Sequence, residues 1–260
     1  MEKIQRNGKG LGYRVVGQGD QDLVLVHGWM VDGTVYDDLI EALDGDSFRL
    51  IVPDLRGAGA SESCDDFELT SYVEDVIAVA DDAGAQTFAL VGHSMGGQIA
   101  QLLASRHPGR VDSLILLCTV PASGMELPDE ADQLFANSGE DRQSQQTILE
   151  MACLELPDEA RERLLDAAGQ IPATCIEASY RAWTGGGFED ELAKITAPTL
   201  VVGSDDPFLP PEFLKATVVK PIANAIFVHT AGAGHYVQVE RPEQTARVIE
   251  KFLVAKTTRE

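Results

Sequence analysis

Along most of the chain, short uninterrupted apolar runs alternate with longer segments in which apolar residues return every three or four positions. Leu23-Val-Leu-Val-His27, Leu50-Ile-Val-Pro-Asp54, Thr87-Phe-Ala-Leu-Val-Gly92 and Ser113-Leu-Ile-Leu-Leu117 are runs of the first kind. Their length and apolar continuity predict strands buried on both faces. Residues 35–43, 70–83 and 96–106 carry helical spacing and lie between them. The alternation resumes late in the chain with Thr199-Leu-Val-Val202, a short helix after Pro211, Ala225-Ile-Phe-Val228 and a last helix over 242–256. A repeating strand, helix, strand unit predicts a parallel sheet covered by helices on both faces.

Residues 121–195 break this rhythm, offering no strand but helical pieces around 143–154, 158–169 and 174–183. They are read as a helical cap inserted into an α/β core made of residues 1–120 and 196–260. Ile148, Leu149, Ala152, Leu164, Leu165 and Ala168 recur at helical spacing, so most are packing positions. Gly185-Gly-Gly187 marks the flexible return to the sheet.

The 260 residues, 44% hydrophobic and 24% charged, have the balance of an ordinary globular domain, long enough for a sizeable core. A formal net charge of −22 sets the protein against polyanions, so neither nucleic acid nor an anionic membrane surface is expected as a partner. The first residues lack the apolar core of a signal peptide, and no stretch has the length of a membrane span, which points to the cytoplasm. Cys64, Cys118, Cys153 and Cys175 are scattered, so neither a disulfide framework nor a zinc site is indicated.

Gly92-His93-Ser94-Met95-Gly96 falls directly between an apolar run and a helical segment. In that context a Gly-x-Ser-x-Gly pattern puts the serine on a strained turn, its hydroxyl thrust out at the carboxyl edge of the sheet. The glycines are needed because side chains there would collide with the adjoining strand and helix. Ser94 is the candidate nucleophile, with helix capping as the plainer alternative. A neutral serine needs a histidine within hydrogen-bond reach and held in one tautomer. Of the five histidines, His235 lies in glycine-rich Ala231-Gly-Ala-Gly-His-Tyr236 just past a strand, where an imidazole can reach over the sheet edge. His27 and His93 are read as positioning backbone, His107 and His229 as structural. The carboxylate that orients the base should come from Gly203-Ser-Asp-Asp206-Pro-Phe-Leu-Pro210, which offers both Asp205 and Asp206. Charge developing on a substrate oxygen requires preorganised donors. These are assigned to the N–H groups of Met95 and Trp29, with Gly28 allowing close approach. Trp29, Phe135, Tyr180 and Trp183 are candidates for the substrate pocket.

His27-Gly-Trp29, Asp54-Leu-Arg-Gly-Ala-Gly-Ala-Ser61, Gly92-His-Ser-Met-Gly-Gly97, the stretch 203–210 and Gly234-His-Tyr-Val-Gln-Val-Glu-Arg-Pro242 together resemble the α/β-hydrolase superfamily over nearly the whole chain. The resemblance implies a mostly parallel sheet of the eight-stranded type. It also implies Asp206 rather than Asp205 as the acid, in the chain order Ser94, Asp206, His235, and no cofactor or metal. Haloalkane dehalogenases and epoxide hydrolases of this superfamily carry an aspartate where Ser94 stands. The His-Gly-Trp start and modest insertion are most similar to small serine carboxylesterases, lactonases and cofactor-free haloperoxidase-like perhydrolases.

A weaker resemblance, through Gly28-Trp29, Val35-Tyr36, Leu39-Ile40, Phe48-Arg49 and Ile51-Val-Pro53, is to the cofactor-independent dioxygenases that open 3-hydroxy-4-quinolone rings. Their pattern calls for a histidine two positions after the Gly-Trp pair and an acid after the strand preceding the cap. Here those places hold Val31 and residues near Cys118. The expectation is therefore hydrolysis of a small to medium, mainly apolar carboxylic ester or lactone through an acyl-enzyme on Ser94. A dioxygenase, or a slow-turnover ligand receptor on the same fold, is the alternative.

Overall fold

The computed structural model describes residues 1–257. Its strands are β1 (Glu2–Arg6), β2 (Lys9–Val16), β3 (Gln21–Val26), β4 (Phe48–Pro53), β5 (Phe88–His93), β6 (Val111–Leu117), β7 (Thr199–Ser204) and β8 (Ala225–Thr230). They form one eight-stranded sheet in the order β1-β2-β4-β3-β5-β6-β7-β8. Pairing is antiparallel for β1 with β2 and β2 with β4, and parallel from β4 through β8. Every residue of β5 is buried, as its unbroken apolar run requires of a central strand.

From β3 the chain steps one way along the sheet to β4, then returns past β3 to β5 and continues the other way to β6. Right-handed crossovers in opposite directions put α1 (Asp37–Ala42) on one face and α2 (Leu69–Asp82) and α3 (Met95–Arg106) on the other. α2 shows why such segments become helices: Leu69, Tyr72, Val73, Val76, Val79 and Ala80 form one buried stripe at helical spacing. The last helix, α10 (Pro242–Thr257), packs against α1.

Between β6 and β7 the chain leaves the sheet for four helices, α4 (Asp129–Ala136), α5 (Arg142–Ala152), α6 (Asp158–Gln170) and α7 (Ala173–Gly185). Ile148, Leu149, Ala152, Leu164, Leu165 and Ala168 are all buried there. After β7 come the single turn α8 (Pro211–Leu214) and, beyond β8, α9 (Val237–Glu240).

Three features depart from the sequence pattern. The β1–β2 hairpin is not signalled by apolar alternation, because EKIQR carries one apolar residue; the turn instead uses Asn7 and Gly8, both at positive φ (52° and 77°). Residues 35–43 do not form one helix but a 3-10 turn, Gly33–Tyr36, followed by α1. α4 is highly polar and escaped the periodicity; of its residues only Phe135 and Ala136 are buried. Among the described residues, no helix is long and apolar enough to cross a membrane.

Candidate active site

β5 delivers Ser94 to the carboxyl edge of the sheet with φ 55° and ψ −122°, a conformation L-residues rarely adopt. Neighbouring backbone fixes it there. The Ser94 N–H donates to Leu117 O at 3.0 Å, and its carbonyl accepts from the N–H groups of Gly97 (2.9 Å) and Val120 (3.1 Å). The glycines are required by contact: a Cβ on Gly92 would lie 2.4 Å from Gly96 O, and one on Gly96 would lie 2.2 Å from Val26 O. The loop after β3 presses against the same turn, since a Cβ on Gly28 would stand 3.0 Å from Ser94 Cβ. This crevice lies where the strand order reverses between β3 and β5, the place where open α/β sheets bind ligands. The amides of Trp29 and Met95 border it and, among the described residues, donate to no other protein group.

The loops after β7 and β8 bring the second pair together. His235 Nδ1 donates to Asp206 Oδ2 at 2.6 Å, and the Asp206 side chain has no exposed surface. Its other oxygen accepts the Phe208 N–H at 2.8 Å, in an Asx turn set by Asp206-Pro-Phe208. A buried carboxylate with two short donors holds the imidazole in the Nδ1–H tautomer and leaves Nε2 as a proton acceptor. Asp205 turns away: its oxygens take His229 Nε2 (2.9 Å) and the Gly232 N–H (2.7 Å), and these contacts hold its carboxyl below the usual range.

The remaining histidines position backbone or lie outside the site. His27 Nε2 accepts the Leu55 N–H at 2.8 Å while Nδ1 donates to Gly28 O at 2.8 Å. His93 Nε2 donates to His235 O at 3.0 Å. Burial lowers the pKa of both, and His235 pushes His93 further down, so both rings are neutral. His107 lies 3.8 Å from Glu74, at the C-terminal end of α3. All four cysteines are free. Cys118 lies near the place where the dioxygenase pattern needs an acid; its buried thiol, with its pKa pushed well up by desolvation, contacts Ser204 Oγ at 3.3 Å.

Ser94 and His235 open onto one cavity with about 480 Å³ of empty space, its mouth included. Its walls come from the insertion (Phe135, Ile148, Ala152, Trp183) and from the sheet domain (Trp29, Phe208). Trp29 stacks on Phe135 with ring centroids 5.3 Å apart, and its indole N–H donates to Ile176 O at 2.9 Å. Three of the four expected pocket residues therefore reach the cavity. Tyr180 does not: it is fully buried behind Trp183, 5.1 Å between centroids, and its hydroxyl donates to Asp132 at 2.8 Å. A tyrosine with a carboxylate partner behind the wall satisfies its hydroxyl there, which an apolar pocket could not. Phe208 is one of the wall residues that the sequence reading missed, with Val120, Met125, Leu209 and Tyr236, although its place two residues after Asp206 carried a signal.

The family model for the alpha/beta hydrolase fold matches residues 23–242. The chain belongs to the α/β-hydrolase family. Two relatives are similar over most of its length. This α/β hydrolase is 28% identical to the non-heme chloroperoxidase CPO-A1 of Kitasatospora aureofaciens, over 88% of the chain and 90% of that protein. It is 30% identical to the 2-hydroxymuconate semialdehyde hydrolase of Pseudomonas putida, over 79% of the chain and 76% of the relative. Among solved structures, a thermophilic esterase from Thermogutta terrifontis superposes with a TM-score of 0.86 at 26% identity, covering 98% of this chain and 99% of that one.

Proposed function

We propose that this α/β hydrolase cleaves a small to medium, mainly apolar carboxylic ester or lactone through an acyl-enzyme on Ser94. The observation that carries the reading is the buried 2.6 Å contact from His235 Nδ1 to Asp206, at the wall of the cavity onto which Ser94 opens. His235 Nε2 takes the Ser94 proton as Oγ attacks the carbonyl carbon, and the amides of Met95 and Trp29 hold the resulting oxyanion. Collapse expels the alkoxide, which takes the proton from His235. Water then attacks the acyl-enzyme, gives its proton to the same nitrogen, and releases the acid as Ser94 is reprotonated. In this reading residues 121–195 act as a cap on a core of residues 1–120 and 196–260. The aromatic and aliphatic walls favour an apolar substrate. The free thiols suit a reducing, cytoplasmic setting.

Stoichiometric labelling of Ser94 by a fluorophosphonate, with p-nitrophenyl ester hydrolysis lost by about 10³-fold or more in Ser94→Ala, is the expected result. Undiminished hydrolysis in Ser94→Ala would refute the assignment, and oxygen-dependent consumption of a hydroxyquinolone by that variant would replace it with the dioxygenase reading.

A further inference from the structure

Glu240 closes α9, directly after the loop that carries His235, and is only 5% exposed. Among the described residues no Lys or Arg side chain pairs with its carboxylate. Its partners are backbone amides from two separate parts of the molecule. On the sheet side, the Gly234 N–H lies 3.1 and 3.0 Å from the two carboxylate oxygens, and the Tyr236 N–H lies 3.3 Å from one of them. On the cap side, the N–H groups of Leu154 and Glu155, in the turn between α5 and α6, each donate at 2.8 Å. A carboxylate offers only acceptors, which suits four converging donors, and burial strengthens each charge-assisted bond.

A second link runs beside the first. The N–H of His235 itself donates to Ala152 O at 2.8 Å, at the end of α5, and a Cβ on Gly234 would lie 2.3 Å from that same oxygen. The residues flanking the Glu240 contacts are thus seated on the cap as firmly as on the sheet, where Ser204 Oγ donates to Gly234 O at 2.6 Å.

We propose that Glu240 is a positioning residue that ties the His235 loop to the cap, so that the base is aligned with Ser94 only while the α5–α6 turn is seated. The inference rests on the ester-hydrolase reading above. Its chemical basis is that proton transfer needs the donor and acceptor aligned to a fraction of an ångström, and a loop held on one side alone would sample many orientations. Substrate binding to the cap walls and alignment of the base then become a single event, because Ala152 both lines the cavity and anchors His235.

Two variants test it. Glu240→Gln puts an amide NH₂ where backbone N–H groups point. Leu154→Pro removes one cap donor without touching Glu240; Leu154 is 51% exposed, and Cys153 before it already has the extended backbone (φ −103°, ψ 149°) that a following proline requires. Each is compared with wild type by p-nitrophenyl butyrate kinetics, by the far-downfield NMR signal of the His235–Asp206 proton, and by amide exchange at Gly234. The expected result is kcat lowered about tenfold or more in Glu240→Gln and about threefold in Leu154→Pro, with KM changed less than about twofold. In both, the downfield proton and the Gly234 amide exchange faster than in wild type. Wild-type kcat and an unaltered downfield proton in Leu154→Pro overturn the proposal, and that variant decides alone if Glu240→Gln does not fold. If wild type hydrolyses no ester, the hydrolase reading falls, while the downfield proton and Gly234 exchange still decide whether Glu240 holds the base through the cap.

Discussion

Ser94 is held at φ 55° by its neighbours and not by its own preference, so the turn stores strain. Ser94→Ala keeps a Cβ in that conformation, whereas Ser94→Gly removes it. Ser94→Gly is therefore expected to be more stable than Ser94→Ala by about 1 kcal/mol in urea unfolding, even though both lack the proposed nucleophile. Equal stabilities would mean that the turn is unstrained. The two neighbouring aspartates separate in the same way. Asp206→Asn should lower kcat by about 10⁴-fold by presenting the imidazole in the wrong tautomer, while Asp205→Asn, which faces His229, should stay within about threefold of wild type. Steady-state kinetics on the pair checks this. Nothing in the local residue pattern chose between these two acids, since both follow β7; the choice came from family resemblance, and its physical reason is the Asx turn at Phe208 that aims one carboxylate inward.

At the scale of elements, the turn at Ser94 is a place where backbone passes backbone. Gly96→Ala would drive a Cβ to 2.2 Å from Val26 O, where only main chain can yield. The expected loss is about 2 kcal/mol or more of stability, read as a lower midpoint in urea, together with reduced fluorophosphonate labelling. A variant as stable as wild type would mean that the Ser94 turn and the end of β3 are not in this close contact. The buried strands were legible because residues such as Leu23, Leu90 and Leu116 face apolar neighbours on both sides and leave no polar gap in the sequence. The edge strand β1 was not, because its polar positions Glu2, Lys3 and Gln5 are exposed and it lacks the apolar signal. α4 went unread for a related reason: most of its surface faces solvent, and its contribution to the cavity is the single ring of Phe135. Tyr180 was misplaced because helical spacing marks a buried face without telling a cavity wall from the layer behind it.

Over the whole molecule, two buried neutral histidines tie stability to pH. Burial lowers the pKa of His27 and of His93 below the ordinary 6.5, so on acidification the unfolded chain takes up protons that the native state refuses. Stability is then complete above about pH 6.5 and declines below it, at a slope that approaches about 1.4 kcal/mol per pH unit for each ring that stays neutral. Urea unfolding between about pH 7 and pH 5 should show this decline, and His93→Gln, whose amide can still donate to His235 O, should make it shallower. A pH-independent midpoint over that range would mean that both rings take up protons in the native state as readily as in the unfolded chain.

The central claim is that the reaction passes through a covalent bond to one hydroxyl. The most direct test is rapid acid quenching of the enzyme with p-nitrophenyl acetate, followed by mass spectrometry of the peptide that contains Ser94. An acetyl group on Ser94, formed as fast as the nitrophenol burst and absent in Ser94→Ala, is the predicted result. Product release with no acylated Ser94, or acetylation confined to another residue, would contradict the account.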